Sequence, residues 1–87
     1  MPYRVELTRR ARRALSEDLP ETVAAACWAF ILGPLAENPH RVGKALRDEM
    51  TGRHAARRGE FRVIYEIHED RIVVRVITIR HRRDAYS

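Results

Sequence analysis

The chain reads as a small α+β domain, with two N-terminal helices packed on a small, twisted, mainly antiparallel sheet in the order β-α-α-β-β-β. Three observations lead there. Apolar and charged residues alternate at Tyr3-Arg4-Val5-Glu6-Leu7, and strand-forming residues dominate again after Gly52. Between them, apolar residues recur at helical spacing through the alanine-rich stretch from Val23 to Ala36. The 87 residues, 45% apolar and 33% charged, suit one domain with a limited core.

Each element has a local reason. The alternation at residues 3–7 is that of a half-buried strand, and Thr8 is placed to cap a following helix. Arg9 to Asp18 forms that helix, with Ala11, Ala14 and Leu15 inward. Leu19-Pro20 ends it, and Pro20 suits the first turn of the next. From Glu21 to about Glu37 two rows run at 3–4 spacing: Val23, Cys27, Phe30, Pro34 and, beside it, Ala24, Trp28, Ile31, Leu35. Pro34 has no N–H to return to Phe30, so the last turn loosens, and Asn38-Pro39 closes the helix. His40 to Thr51 is ambiguous, broken by Gly43. Arg53 to Arg57 is a strand entering a tight turn at Arg58-Gly59. Phe61 to Ile67 is the plainest strand in the chain, His68 to Arg71 a polar turn, and Ile72 to Ile79 a central strand apolar on both faces. Helices on one face of such a sheet leave the other open to a ligand.

Composition narrows the function. The lone cysteine, Cys27, lies in an apolar run; it excludes a disulfide framework or a multi-thiolate zinc site and suits a reducing cytoplasm. The longest apolar run, Val23 to Ala36, falls short of the ~20 residues of a membrane span, and the N-terminus lacks a signal-peptide pattern. A soluble cytoplasmic protein without membrane contact is expected. The net charge is +5, from 17 basic and 12 acidic residues, and every basic residue but Lys44 is arginine. Residues 1–40 cancel; residues 41–87 carry 12 basic and seven acidic residues, so the whole excess lies in the second half. Such an asymmetry points to a polyanionic partner, against the plainer reading of an arginine-rich solvated surface.

Spacing sharpens this. With a turn at Arg58-Gly59, Arg57 lies opposite Glu60 and Ala55 opposite Arg62, so Arg53, Arg57 and Arg62 share one face while Phe61, Val63, Tyr65 and Ile67 meet the helices. The C-terminal cluster Arg80-His81-Arg82-Arg83-Asp84-Ala85-Tyr86 follows the central strand and adds phosphate-binding guanidinium groups, a titratable imidazole and a stacking ring. His54 points away from the arginine face on this register. His40 and His68 read as surface histidines, and the acid pairs Asp48-Glu49 and Glu69-Asp70 as solvated. No metal-ligand spacing, glycine-rich phosphate loop or nucleophilic serine motif occurs, so neither metal nor cofactor is implied.

Three segments resemble the RelE/ParE superfamily of bacterial toxins, and within it the RelE branch. They are Leu19-Pro20 with the helix ending Pro34-Leu35-Ala36-Glu37-Asn38-Pro39, Gly43-Lys44-Ala45-Leu46-Arg47 with the following Gly52-Arg53-His54-Ala55-Ala56-Arg57-Arg58-Gly59-Glu60-Phe61-Arg62-Val63-Ile64-Tyr65, and His81-Arg82-Arg83-Asp84-Ala85-Tyr86. The resemblance implies a RelE-like fold over residues 1–87 and a toxin of a type II toxin–antitoxin system. It implies an endoribonuclease that cuts mRNA in the ribosomal A site, where 2′-OH attack leaves 2′,3′-cyclic phosphate and 5′-OH ends. Arg57, Arg62 and Arg82 match the family's phosphate-holding arginines, and Tyr86 its base-stacking tyrosine. Arg53, His54, Arg58 and Arg83 are further RNA contacts. Relatives carry lysines at the positions of Arg53 and Ala55. Arginine is a poor base, so His81 is the better proton-transfer group here, with His54 second. The implied partners are a cognate antitoxin of RelB-like or Phd-like type, forming a hetero-oligomer, and the ribosome with its mRNA. The ParE branch shares the fold but inhibits DNA gyrase without nuclease chemistry, and a non-catalytic RNA-binding module is a third possibility.

Overall fold

The computed structural model describes residues 2–81. Strand β1 (Arg4–Leu7) leads to Thr8, whose Oγ1 accepts from the Ala11 N–H at 3.1 Å and caps helix α1 (Arg9–Arg13). This helix widens into a π-helical turn, Ala14–Asp18, closed by the Leu19 N–H donating to the Ala14 carbonyl at 3.0 Å. Pro20 takes the cap position of α2 (Glu21–Phe30) rather than its first turn. Pro34 loosens the end of α2 as expected. Ile31–Leu35 is a π-helical turn in which the Ala36 N–H reaches the Ile31 carbonyl. The buried stripe is Cys27, Ile31 and Leu35, drawn from both predicted rows, whereas Trp28 remains 38% exposed.

The ambiguous stretch holds three short elements: α3 (Pro39–Val42), β2 (Lys44–Ala45) and a 3-10 turn at Asp48–Met50. Strands β3 (His54–Arg58), β4 (Phe61–His68) and β5 (Val73–His81) complete a five-stranded sheet in the order β1-β5-β4-β3-β2. β1 runs parallel to β5 and the other pairs are antiparallel, so the α+β class stands with β2 and α3 added.

The β3–β4 turn falls one residue later than the sequence suggested, at Gly59-Glu60. Arg57 therefore faces Arg62, not Glu60, and Ala55 faces Ile64, not Arg62. Gly59 takes a φ of +62°, which a side chain would strain. Moving a two-residue turn by one position shifts each cross-strand partner by two residues. Side chains alternate with period two, so every residue keeps its predicted side.

Val63, Tyr65, Val74, Val76 and Ile79 face the helices and pack with Ala11, Ala14, Cys27, Ile31 and Leu35; Phe61 and Ile67 join them. Burying each large apolar side chain contributes about 1.5–3 kcal/mol. Burial also raises the Cys27 thiol pKa. The Tyr65 hydroxyl donates to the Pro39 carbonyl at 2.5 Å, and burial pushes its pKa up to about 12. Gly43 makes this possible: a Cβ there would lie 2.2 Å from the Tyr65 hydroxyl and 2.8 Å from the Ala55 carbonyl oxygen.

A bulge in β5 decides the sidedness of its end. Tyr65 pairs with Val76 but Ile64 with Thr78, so Ile77 is the extra residue. Its carbonyl accepts from Thr8 Oγ1 at 2.5 Å, tying the bulge to the start of α1. Beyond it, Ile79 turns inward opposite Val63, Arg80 outward opposite Arg62, and His81 inward opposite Phe61. Among the described residues, no helix is long and apolar enough to cross a membrane.

Candidate functional site

The sheet face away from the helices carries Arg53, Ala55 and Arg57 on β3, Arg62, Ile64 and Glu66 on β4, and Arg75, Thr78 and Arg80 on β5. Arg57, Arg62 and Arg80 form a row across three strands. With ~4.8 Å between neighbouring strands, the row spans roughly 10 Å. Like charges placed directly opposite one another weaken a sheet's own pairing, so such a row adds nothing to the packing of the strands.

Beside this row lies a cleft of about 450 Å³ lined by Arg41, Lys44, Arg57 and Arg62, with Gly43, Leu46 and Ala55 among its smaller walls. Four basic side chains and no carboxylate border it, among the described residues. The other end of the same face holds ion pairs, although Arg75 forms none there among the described residues. There Arg53 Nε lies 3.5 Å and His68 Nε2 3.0 Å from the Glu66 carboxylate, and Arg71 pairs with Glu6 at 3.5 Å. Among the described residues, Arg41, Lys44, Arg57 and Arg80 form no ion pair. Clustered guanidinium groups in a concave site suit phosphate, which they grip through forked hydrogen bonds.

The structure brings some predicted residues together and separates others. Arg57 and Arg62 share the cleft. Arg53 shares their face but is engaged with Glu66. Arg58 alternates to the other side, where it lines a shallow groove with Cys27 and Phe61 against α2. His54 also faces the helix side: it stacks on Tyr65 with ring centroids 5.5 Å apart and meets His40 edge-on at 6.2 Å. Its Nδ1 is buried without a hydrogen-bond partner among the described residues, and burial, aided by the His40 charge, lowers its pKa.

His81 is set apart from the cleft. The bulge turns it to the helix side, where it packs edge-on against Phe61 at 5.0 Å and approaches Glu60 at 3.4 Å, so it does not share a face with Arg57 and Arg62. Glu69 is exposed, as expected, and also accepts from the Tyr3 hydroxyl at 2.9 Å and is hydrogen-bonded to His40. The His40 bond, then that of Tyr3, holds its carboxyl below the usual range. Arg82, Arg83 and Tyr86 lie outside the described residues.

Comparison with known proteins now identifies the molecule. The family described as the ParE toxin of type II toxin–antitoxin systems (parDE) matches residues 5–86. The chain is 48% identical to Toxin RelE of Mycobacterium tuberculosis over 85 residues, 98% of this chain and 87% of that one. The chain belongs to the RelE/ParE superfamily of type II toxin–antitoxin toxins. It is also 43% identical to Toxin RelG of the same organism over 86 residues, covering 99% of this chain and 98% of that protein. Its fold superposes on the toxin–antitoxin complex RelBE2 of M. tuberculosis with a TM-score of 0.89 at 41% identity, over 93% of this chain and 92% of that one. It is thus a toxin of RelE type.

Sequence reasoning did not single out Arg41 or Lys44 for the cleft, and it named Arg80 only within the C-terminal cluster. Lys44 is the sole lysine in the chain, a signal available at the outset. Arg80 was legible in principle too. The apolar alternation Val74, Val76 changes phase to Ile77, Ile79, and such a phase change in a strand marks a bulge.

Proposed function

We propose that this toxin is a ribosome-dependent endoribonuclease that cuts mRNA in the ribosomal A site. The observation that carries the reading is the basic cleft, lined by Arg41, Lys44, Arg57 and Arg62, in which Arg57 faces Arg62. An mRNA backbone entering it meets guanidinium groups suited to the non-bridging oxygens of one phosphate and, through Arg80, of its neighbour. The ribose 2′-OH attacks the adjacent phosphorus and the bond to the 5′ oxygen breaks, giving 2′,3′-cyclic phosphate and 5′-OH ends. Arg57 and Arg62 act by stabilising the charge that builds on the phosphorane, an effect worth about 10²–10³-fold for one well-placed donor. By family resemblance, Arg82 and Arg83 add phosphate contacts and Tyr86 stacks on the substrate base. Arg53, on the same face, is a flanking RNA contact, whereas Arg58 and His54 lie on the helix side, away from the cleft.

The toxin works in the cytoplasm and is held inactive by a cognate antitoxin of RelB-like type whose chain covers the basic cleft. The match to a toxin–antitoxin complex supports that partner. A second reading, inhibition of DNA gyrase without nuclease activity, is favoured by the ParE description of the matching family.

One experiment separates them. Purified protein is added to ribosomes programmed with a defined mRNA and to the mRNA alone, and products are read by primer extension and end-group analysis. Cuts within A-site codons, with ribosomes only and with 5′-OH ends, are expected. No cleavage by folded, antitoxin-free protein would reject the nuclease, and trapped double-strand breaks in supercoiled plasmid with gyrase would support the alternative.

A further inference from the structure

We infer that Lys44 is the catalytic acid of the cleft, protonating the 5′ oxygen as it leaves phosphorus; this rests on the nuclease reading above. Lys44 pairs with Ala55 across β2 and β3, so it projects to the side of the sheet that carries Arg57 and Arg62, and it lines their cleft. Ala45, next along, pairs with His54 on the other side. Because Ala55 offers only a methyl group, the space beside Arg57 is left to the long lysine side chain.

The chemistry singles Lys44 out among the cleft residues. Arg41, Arg57 and Arg62 carry guanidinium groups, which bind phosphate but keep their protons because arginine pKa values stay above ~12. His54 and His81 face the helices, and the Tyr65 hydroxyl is committed to the Pro39 carbonyl. An ammonium is already protonated at neutral pH and can give a proton to a developing alkoxide. The step balances. The bond from the 2′ oxygen to phosphorus forms, the bond to the 5′ oxygen breaks, and one ammonium proton passes to that oxygen. The 2′-OH proton goes to solvent water, and the neutral amine regains a proton from solvent.

The test is single-turnover cleavage on programmed ribosomes by wild type, Lys44→Ala, Lys44→Arg and Arg62→Ala. The mRNA carries either oxygen or sulfur at the scissile 5′ bridging position, because a thiolate leaves without needing a proton. On the oxygen substrate, Lys44→Ala should lose about 10²–10⁴-fold, the range of general acid catalysis, and Lys44→Arg should be comparably slow although it keeps the charge. On the sulfur substrate both should recover to near the wild-type rate while Arg62→Ala stays slow. Wild-type cleavage by Lys44→Ala, a fully active Lys44→Arg, or a defect that persists on sulfur would each overturn the assignment and leave the nuclease reading intact. A wild-type protein that cuts neither substrate on ribosomes would overturn both. Lys44 is exposed, and unchanged thermal melting of the variants would confirm that folding is not at issue.

Discussion

The two faces of the one sheet are built from the same strands and follow opposite rules. Toward the helices, Val63, Tyr65, Val74, Val76 and Ile79 are buried, and the buried Tyr65 hydroxyl has found a carbonyl. On the other face, Arg57, Arg62 and Arg80 stand in a row beside Arg41 and Lys44, an arrangement that strand pairing penalises. Stability resides on the first face. The second is organised for a polyanion, and alternation lets one eight-residue strand, β4, serve both.

This contrast can be broken from either side, and the largest effect should come from the open face. Replacing Arg57 with Glu brings to the cleft the neutralising carboxylate that Glu66 supplies at the other end. Cleavage on ribosomes should fall by at least ~10³-fold, since a phosphate-binding charge is both lost and reversed, while circular dichroism and melting temperature stay near wild type. Arg62→Ala should lose about 10²–10³-fold. Full activity in both would sink the assignment of the cleft.

The packed face should show the reverse signature. Gly43→Ala forces a Cβ against the Tyr65 hydroxyl and the Ala55 carbonyl and should destabilise by about 2 kcal/mol, read by urea unfolding. Thr8→Ala removes both the cap of α1 and the hydrogen bond to the bulge carbonyl of Ile77, for about 1–2 kcal/mol. Per protein that remains folded, cleavage by Gly43→Ala should stay within a few-fold of wild type; a large loss would mean that the faces are not separable.

The smallest effects sharpen the comparison. Arg80→Ala should lower the slope of log affinity against log salt for single-stranded RNA by about 0.7, one phosphate contact, with melting unchanged. An unchanged slope would remove Arg80 from the row. On the packed side, His54 has its pKa lowered from 6.5, so below pH 6.5 the unfolded chain takes up its proton first. Stability should therefore fall as pH drops below 6.5 toward the lowered folded-state value and be regained above 6.5. His54→Phe keeps a ring on Tyr65 and cannot titrate, so it should flatten that part of the melting-temperature profile. The Glu69 carboxyl, held low, contributes a separate loss only at more acidic pH.

Local sequence signals account for the class, the Thr8 cap, the loosened turn at Pro34 and the two sides of the β3–β4 hairpin. Each depends on local geometry: a cap oxygen, a missing N–H, or a period of two that survives a one-residue error in the turn. The sequence also carried the resemblance that led to the toxin family. What it did not decide was how the edges of the sheet close. Strand β2 has only two residues, too few to show a period, so its pairing with β3 and the arrival of Lys44 beside Ala55 depend on the tertiary fold. The bulge at Ile77 is held by Thr8 from the far end of the chain, and it reverses the sides of Arg80 and His81. A single inserted residue changes the phase of everything after it. Contacts distant in sequence therefore decided that an arginine, and not the histidine, joins Arg57 and Arg62.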